Sequence, residues 1–144
     1  IIDAFSGTGT ISMIMSLKAK KVYGIELVKS SVIAARKTVK DNNINNVEFI
    51  EARVEYVIDK IMNKDKIDYI VFDPPRKGID YSVLESVCES NISKIVYISC
   101  NPSTLARDIK ILIEKGYRLE YVKGYDMFPQ THHIEVLVLL VKGE

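Results

Sequence analysis

Ile95-Val96-Tyr97-Ile98-Ser99-Cys100-Asn101-Pro102 decides how this chain is to be read. A run of β-formers stops at a cysteine, and Asn-Pro follows at once. Proline suits the first turn of a helix, and Ser103 and Thr104 behind it can help to cap one. The stretch therefore reads as a buried strand handing over to a helix. In an open α/β sheet this edge is where ligands bind. A thiol beside a helix N-terminus has its thiolate stabilised by the dipole and free N–H groups, so Cys100 is a candidate nucleophile. Position alone leaves a second reading open, because a free cysteine is commonly a small buried hydrophobe. Cys88 fits that second reading, since with Leu84 and Val87 it belongs to the inner face of a helix.

Working outward, short apolar runs recur at 1–5, 22–27, 47–51, 67–73 and 94–100, with longer ones at 117–127 and 134–142. Segments with helical spacing lie between them: Ile11, Ile14 and Met15; Val32, Ala35 and Val39; then 53–62, 80–90 and 102–114. This alternation predicts an α/β fold, a mostly parallel sheet with helices on both faces. The last two strands have no helix between them, only Phe128-Pro129-Gln130-Thr131, so the sheet is expected to end in an antiparallel strand. No repeat, linker or low-complexity tract interrupts residues 1–144, which read as one domain. Ile1-Ile2 reads as the tail of a strand, so the chain is expected to be a piece of a longer protein.

Composition narrows the class. A chain of 144 residues, 47% hydrophobic and 27% charged, is an ordinary soluble domain. Its length suffices to bury roughly 70% of the unfolded surface, so disulfides are not needed. Two cysteines in no metal-ligand spacing suggest a reducing, cytoplasmic setting. The net charge of +1 argues neither for nor against nucleic acid; no strongly basic face is visible in the totals, which leaves RNA affinity to local patches or other parts. Residues 1–144 show no signal-peptide pattern and no membrane-length apolar run.

The remaining motifs sit at strand ends. Asp3-Ala4-Phe5-Ser6-Gly7-Thr8-Gly9-Thr10 follows the first strand, and its glycines permit a tight turn and close approach of a ligand. Ser12 occupies the place of a third glycine, so the turn is either a ligand loop or a plain strand–helix turn. Glu26 ends the second strand, where a carboxylate can accept both ribose hydroxyls of an adenosine. NAD and S-adenosylmethionine both present such a ribose. Asp73-Pro74-Pro75-Arg76-Lys77-Gly78 leaves the fourth strand, and the prolines stiffen an exit that holds a carboxylate at the sheet edge. Asp-Pro-Pro after a buried strand resembles methyltransferases acting on flat nitrogenous bases, which favours S-adenosylmethionine. Glu135 starts the very apolar last strand; a carboxylate partly withdrawn from water there can exchange protons near neutral pH. His132 and His133 are adjacent and so point to opposite faces of a strand, which leaves no metal-ligand set.

Together these stretches resemble the catalytic domain of the RNA (uracil-5-)-methyltransferases, which make 5-methyluridine in transfer and ribosomal RNA. The resemblance rests on residues 3–10, Asp73-Pro74-Pro75-Arg76-x-Gly78, Ser99-Cys100-Asn101-Pro102 with Thr104-Leu105-Ala106-Arg107-Asp108, and Asp126-Met127-Phe128-Pro129-Gln130-Thr131-x-His133-x-Glu135. It implies a Rossmann-like class I S-adenosylmethionine-dependent fold, with Cys100 as nucleophile and Glu135 as general base. It implies cofactor contacts at Phe5, Glu26 and Asp73, with Gly7 and Gly9 in the loop. Ser6, Thr10 and Arg53 depart from the cysteine, asparagine and acid common at those positions. The family's further cofactor-binding glutamine, RNA-binding module and, where present, four-cysteine iron–sulfur cluster would precede Ile1. The resemblance leans to the 23S ribosomal members over the transfer-RNA ones, and implies no protein partner beyond a monomer.

The implied chemistry explains the residue types. Uracil C5 is a weak nucleophile until a thiolate adds to C6, and the C5 proton must afterwards be removed. The target base must be unpaired or flipped, and Phe128 or Tyr125 either stacks on it or packs in the core. Arg76, Lys77 and Arg107 either meet phosphate or the O4 enolate, or serve as structural cations. Two rivals remain: a base-amino methyltransferase that needs no thiol, and a non-catalytic nucleotide- or RNA-binding module.

Overall fold

A computed structural model describes residues 1–127, 129–131 and 134–143. The strands are β1 (Ile2–Ala4), β2 (Val22–Glu26), β3 (Val47–Glu51), β4 (Tyr69–Phe72), β5 (Lys94–Ser99), β6 (Tyr117–Tyr125) and β7 (Glu135–Lys142). The helices are α1 (Thr10–Ser16), α2 (Lys29–Asp41), α3 (Val54–Lys64), α4 (Tyr81–Glu89) and α5 (Pro102–Glu114). Strands and helices alternate up to α5 as the apolar spacing predicts. The chain divides into two compact units, Ile1–Ile67 and Asp68–Glu144.

In the first unit β1 and β3 flank β2, both parallel to it, with Asp3 beside Gly24 and Gly24 beside Phe49. Ile2, Ala4, Val22 and Ile25 are fully buried, as parallel strands covered by helices should be. Val32, Ala35 and Val39 turn one face of α2 onto Phe49, as their spacing predicts. Helix α1 differs from the expected apolar face. Its buried residues are Ser12 and Ser16, while Ile14 is 64% exposed. The reason is space: a Cβ placed on Gly24 would come within 2.9 Å of Ser12 Oγ. The helix rides so close to the strands that only small side chains fit beneath it.

In the second unit β4 and β5 are parallel, Phe72 lying beside Tyr97 with ring centroids 6.0 Å apart. Strand β7 is antiparallel to β5 on one side and to β6 on the other. The last strand is antiparallel as expected, but it sits between β5 and β6, leaving β6 as an edge of this unit. Hydropathy explains the placement. Val138 and Leu140 of the apolar β7 are fully buried, whereas Arg118, Glu120 and Lys123 keep β6 polar enough for an edge. A register shift between Leu119 and Tyr121 marks a bulge on β6, another feature of edge strands.

Both helices of this unit begin with side-chain caps. Asp80 accepts from the N–H of Ser82, and Asn101 accepts from that of Ser103 with Pro102 in the first turn. The cap of α5 is therefore Asn101, one position before the proline, and not Ser103 or Thr104. The buried stripe of α5 is Leu105, Asp108 and Leu112, two leucines and a carboxylate. Cys88 is half-buried on α4 rather than in the core, beside the fully buried Leu84 and Val87. Among the described residues no helix is long and apolar enough to cross a membrane.

Candidate active site

The turn after β1 is conformationally demanding. Phe5 has φ 68°, a left-handed value that costs a side-chain-bearing residue about 1–2 kcal/mol. Gly7 and Gly9 also have positive φ, at 55° and 86°. The two glycines serve different ends. A Cβ on Gly7 would meet nothing within 4 Å, so the main chain there is open to a ligand. A Cβ on Gly9 would fall 2.3 Å from the Phe49 ring, so that glycine is required by packing. The loop is tied down by Ser6 N–H donating to Ile25 O at 2.9 Å and Gly9 N–H donating to Ser6 O at 2.8 Å.

Glu26 belongs to the same construction. One carboxylate oxygen accepts from Gly7 N–H at 2.9 Å and the other from Val28 N–H at 2.7 Å. Each oxygen keeps a second lone pair, so the carboxylate can still accept from a hydroxyl. Ser6 Oγ is buried and finds no hydrogen-bond partner among the described residues. An open backbone at Gly7, a half-buried carboxylate and an orphaned hydroxyl suit the ribose end of an adenosine cofactor. Ser12 is not a substitute for a third loop glycine. Fully buried, it donates to Asp3 at 2.5 Å and pins α1 to β1.

In the second unit three strand ends converge. β5 stops at Ser99, which pairs with Val136, so Cys100 and Glu135 stand at adjoining ends of antiparallel strands. Facing strand residues have Cα atoms about 4.5–5.5 Å apart, which brings a thiol and a carboxylate into one locality. On its other side Glu135 pairs with Tyr125 of β6. Tyr125 is 37% exposed, so it lies at the surface and not in the core. Asp73 follows β4, whose last residue is in register with Tyr97. The Asp73 side chain is exposed, yet the protein around it and then the Glu135 carboxylate push its pKa above the ordinary carboxylate value.

Cys100 is half-buried and held on both sides. Ser99 Oγ accepts from Asn101 N–H at 3.0 Å and lies 3.1 Å from Asn101 O. Burial pushes the thiol pKa of Cys88 up. Arg53 Nε pairs with Glu55 at 2.8 Å. Phe128, His132 and His133 lie outside the described residues. Among the described residues no three His, Cys, Asp or Glu side chains gather as a metal group.

One feature escaped the sequence reading. Asp108, fully buried, accepts from Tyr97 OH at 2.7 Å and from Ile79 N–H at 2.9 Å, and pairs with Arg107 at 2.7 Å. Burial, and then the bond to Asp108, push the Tyr97 phenol pKa far up, so it remains a donor. A charged residue within an apolar helical stripe was the available signal.

Comparison with known proteins bears on the family and the fold. A family model described as tRNA (uracil-5-)-methyltransferase matches residues 1–143. An uncharacterized RNA methyltransferase of Fusobacterium nucleatum is 55% identical over 141 residues, covering 97% of this chain and 30% of that protein. One from Clostridium tetani is 45% identical over 141 residues, covering 97% of this chain and 31% of its own length. The chain thus spans about a third of the curated relatives it matches. Among solved structures, the Pyrococcus abyssi tRNA (uracil-54, C5)-methyltransferase in complex with S-adenosyl-L-homocysteine superposes with TM-score 0.82 at 31% identity, over 97% of this chain and 33% of that one. A Streptococcus thermophilus rRNA methylase, with TM-score 0.76 at 15% identity, over 99% of this chain and 86% of that one, shares the fold alone. The α/β architecture is thus the Rossmann-like fold of S-adenosylmethionine-dependent methyltransferases, and the chain belongs to the tRNA (uracil-5-)-methyltransferase family.

Proposed function

We propose that this chain is the catalytic part of an S-adenosylmethionine-dependent enzyme that methylates C5 of a uridine in ribosomal or transfer RNA, in the cytoplasm. The observation that carries the reading is the β5–β7 register, with Cys100 one residue beyond Ser99 and Glu135 one residue before Val136. Phe5, Gly7, Gly9 and Glu26 hold the cofactor's adenosine end, with Glu26 accepting from ribose. Asp73 holds either the cofactor or the base edge. When bound, S-adenosylmethionine supplies an electrophilic methyl group.

The chain's own residues do the rest. The Cys100 thiolate adds to C6 of uracil, and the C5–C6 π electrons move onto C5 and O4. C5, now nucleophilic, takes the methyl group. Glu135 then removes the C5 proton, the C5–C6 double bond re-forms, and the thiolate leaves. Thiol and carboxylate have separate roles, which is why both are needed at one edge.

Two substitutions in the full-length protein test the roles. Cys100→Ala should abolish transfer to uridine, whereas full activity in that variant would favour a base-amino methyltransferase that needs no thiol. Glu135→Gln should slow turnover about 10²- to 10⁴-fold, the usual worth of a general base. RNA covalently attached to Cys100 should accumulate in it, visible as a slow band on a denaturing gel. A Gln variant that turns over normally would remove Glu135 from the mechanism.

A further inference from the structure

The loop after Asp73 has little secondary structure of its own, and α5 holds it. Gly78 N–H donates to Pro75 O at 2.9 Å, closing a turn over residues 75–78. Arg76 O accepts from Asn101 Nδ2 at 2.9 Å, and Thr104 Oγ1 lies 3.2 Å from it. The Thr104 hydroxyl is also 3.2 Å from Asn101 O, so its one proton is shared between two carbonyls. Lys77 O accepts from Arg107 Nη2 at 3.1 Å, and Ile79 N–H donates to Asp108. Backbone groups of Arg76, Lys77 and Ile79 are thus taken by Asn101, Thr104, Arg107 and Asp108, residues that recur on one side of α5 and its cap at helical spacing.

The fit is close. A Cβ on Gly78 would fall 2.6 Å from Arg107 Nη2 and 2.7 Å from Asp108 Oδ2, so the glycine lets the ion pair reach the main chain. Beside the loop lies a groove of about 390 Å³, with Tyr81, Leu84 and Ile111 in its walls. The loop therefore has room to move if α5 releases it. Two placements matter: Asp73 starts the loop, and Asn101, which grips it at Arg76, directly follows Cys100.

We propose that Asn101, Thr104, Arg107 and Asp108 form a latch of positioning residues. They act on the reaction through the Asp73–Ile79 loop, fixing the Asp73 carboxylate relative to the Cys100 thiol. The role in catalysis rests on the function proposed above; the latch itself does not. Misplacement of reacting groups by about 1 Å costs up to 10²-fold in rate, so partial release should be readable in turnover.

The test uses the full-length protein with Asn101→Ser and Thr104→Val combined. Serine keeps the helix cap but is too short to reach Arg76 O, and valine keeps the shape of threonine without its hydroxyl. Amide exchange at Gly78 and Ile79 should rise about tenfold while the α5 amides stay protected. Methyl transfer at saturating cofactor and RNA should fall about tenfold, with the melting midpoint within about 3 °C of the wild type. Restoring one donor, as Asn101→Ser with Thr104→Ser, should recover most of the rate. Unchanged exchange, faster exchange with wild-type transfer, or no recovery with serine each overturns the proposal. A wild-type protein that methylates no uridine counts against the function proposed above, and exchange alone then decides whether the latch exists.

Discussion

Asp73 is held in a place that disfavours its charge. Desolvation and the Glu135 carboxylate raise its pKa in the folded chain, so ionisation there opposes folding. Below the ordinary carboxylate range the acid is protonated in both folded and unfolded states and the cost vanishes. As pH rises from that range through the raised folded value, the cost is incurred and stability is lost. Asp73→Asn should therefore unfold at a higher urea midpoint than the wild type at pH 7, with the gap closing below pH of about 3. A less stable Asn variant at pH 7 would show that Asp73 is a structural acid. If Asp73 has the role proposed above, that cost fits the usual trade between stability and activity. At this scale the sequence was legible at strand ends. Cys100, Asp73, Glu26 and Glu135 could be picked out because each follows or begins an apolar run. Ser12 and Asp108 could not be read in the same way. Their bonds to Asp3 and to the Asp73–Ile79 loop depend on how closely a helix approaches its neighbour, which residue spacing does not encode.

Among elements, the loop between β1 and α1 contains two glycines with unlike reasons. Gly9→Ala should cost about 1–3 kcal/mol on top of the backbone preference, because the new methyl meets the Phe49 ring in a packed core. Gly7→Ala meets no neighbour and should cost only the backbone preference, about 1 kcal/mol. It should, however, weaken cofactor binding, because the new methyl would occupy open space next to the Glu26 contact. Denaturant titrations with calorimetric binding of the cofactor separate the two; equal stability costs would refute the division of roles. The sequence could place both glycines in a turn but could not distinguish them, since the partner ring comes from β3. Helix α1 shows the same limit. Its apolar residues Ile11, Ile14 and Met15 suggested a buried face, and the close approach to Gly24 buried the serines instead.

Across the whole molecule, alternation of strands and helices was legible because a covered parallel sheet demands continuous apolar strands separated by amphipathic helices. The insertion of β7 between β5 and β6 was not. Periodicity identifies a hairpin, but the order of strands depends on which edge remains polar enough to face water. That insertion matters most for the proposed function, because only a β7 paired directly with β5 brings Glu135 alongside Cys100. The central claim, a covalent bond between Cys100 and uracil C6, has a direct test. Full-length protein would be incubated with S-adenosylmethionine and RNA carrying 5-fluorouridine at the target position. Fluorine at C5 cannot leave as a proton does, so Glu135 has nothing to remove and elimination stalls. Mass spectrometry of the digested complex should find the nucleotide attached to the peptide containing Cys100. RNA that binds without forming an adduct, or an adduct on Cys88 instead, would contradict the account.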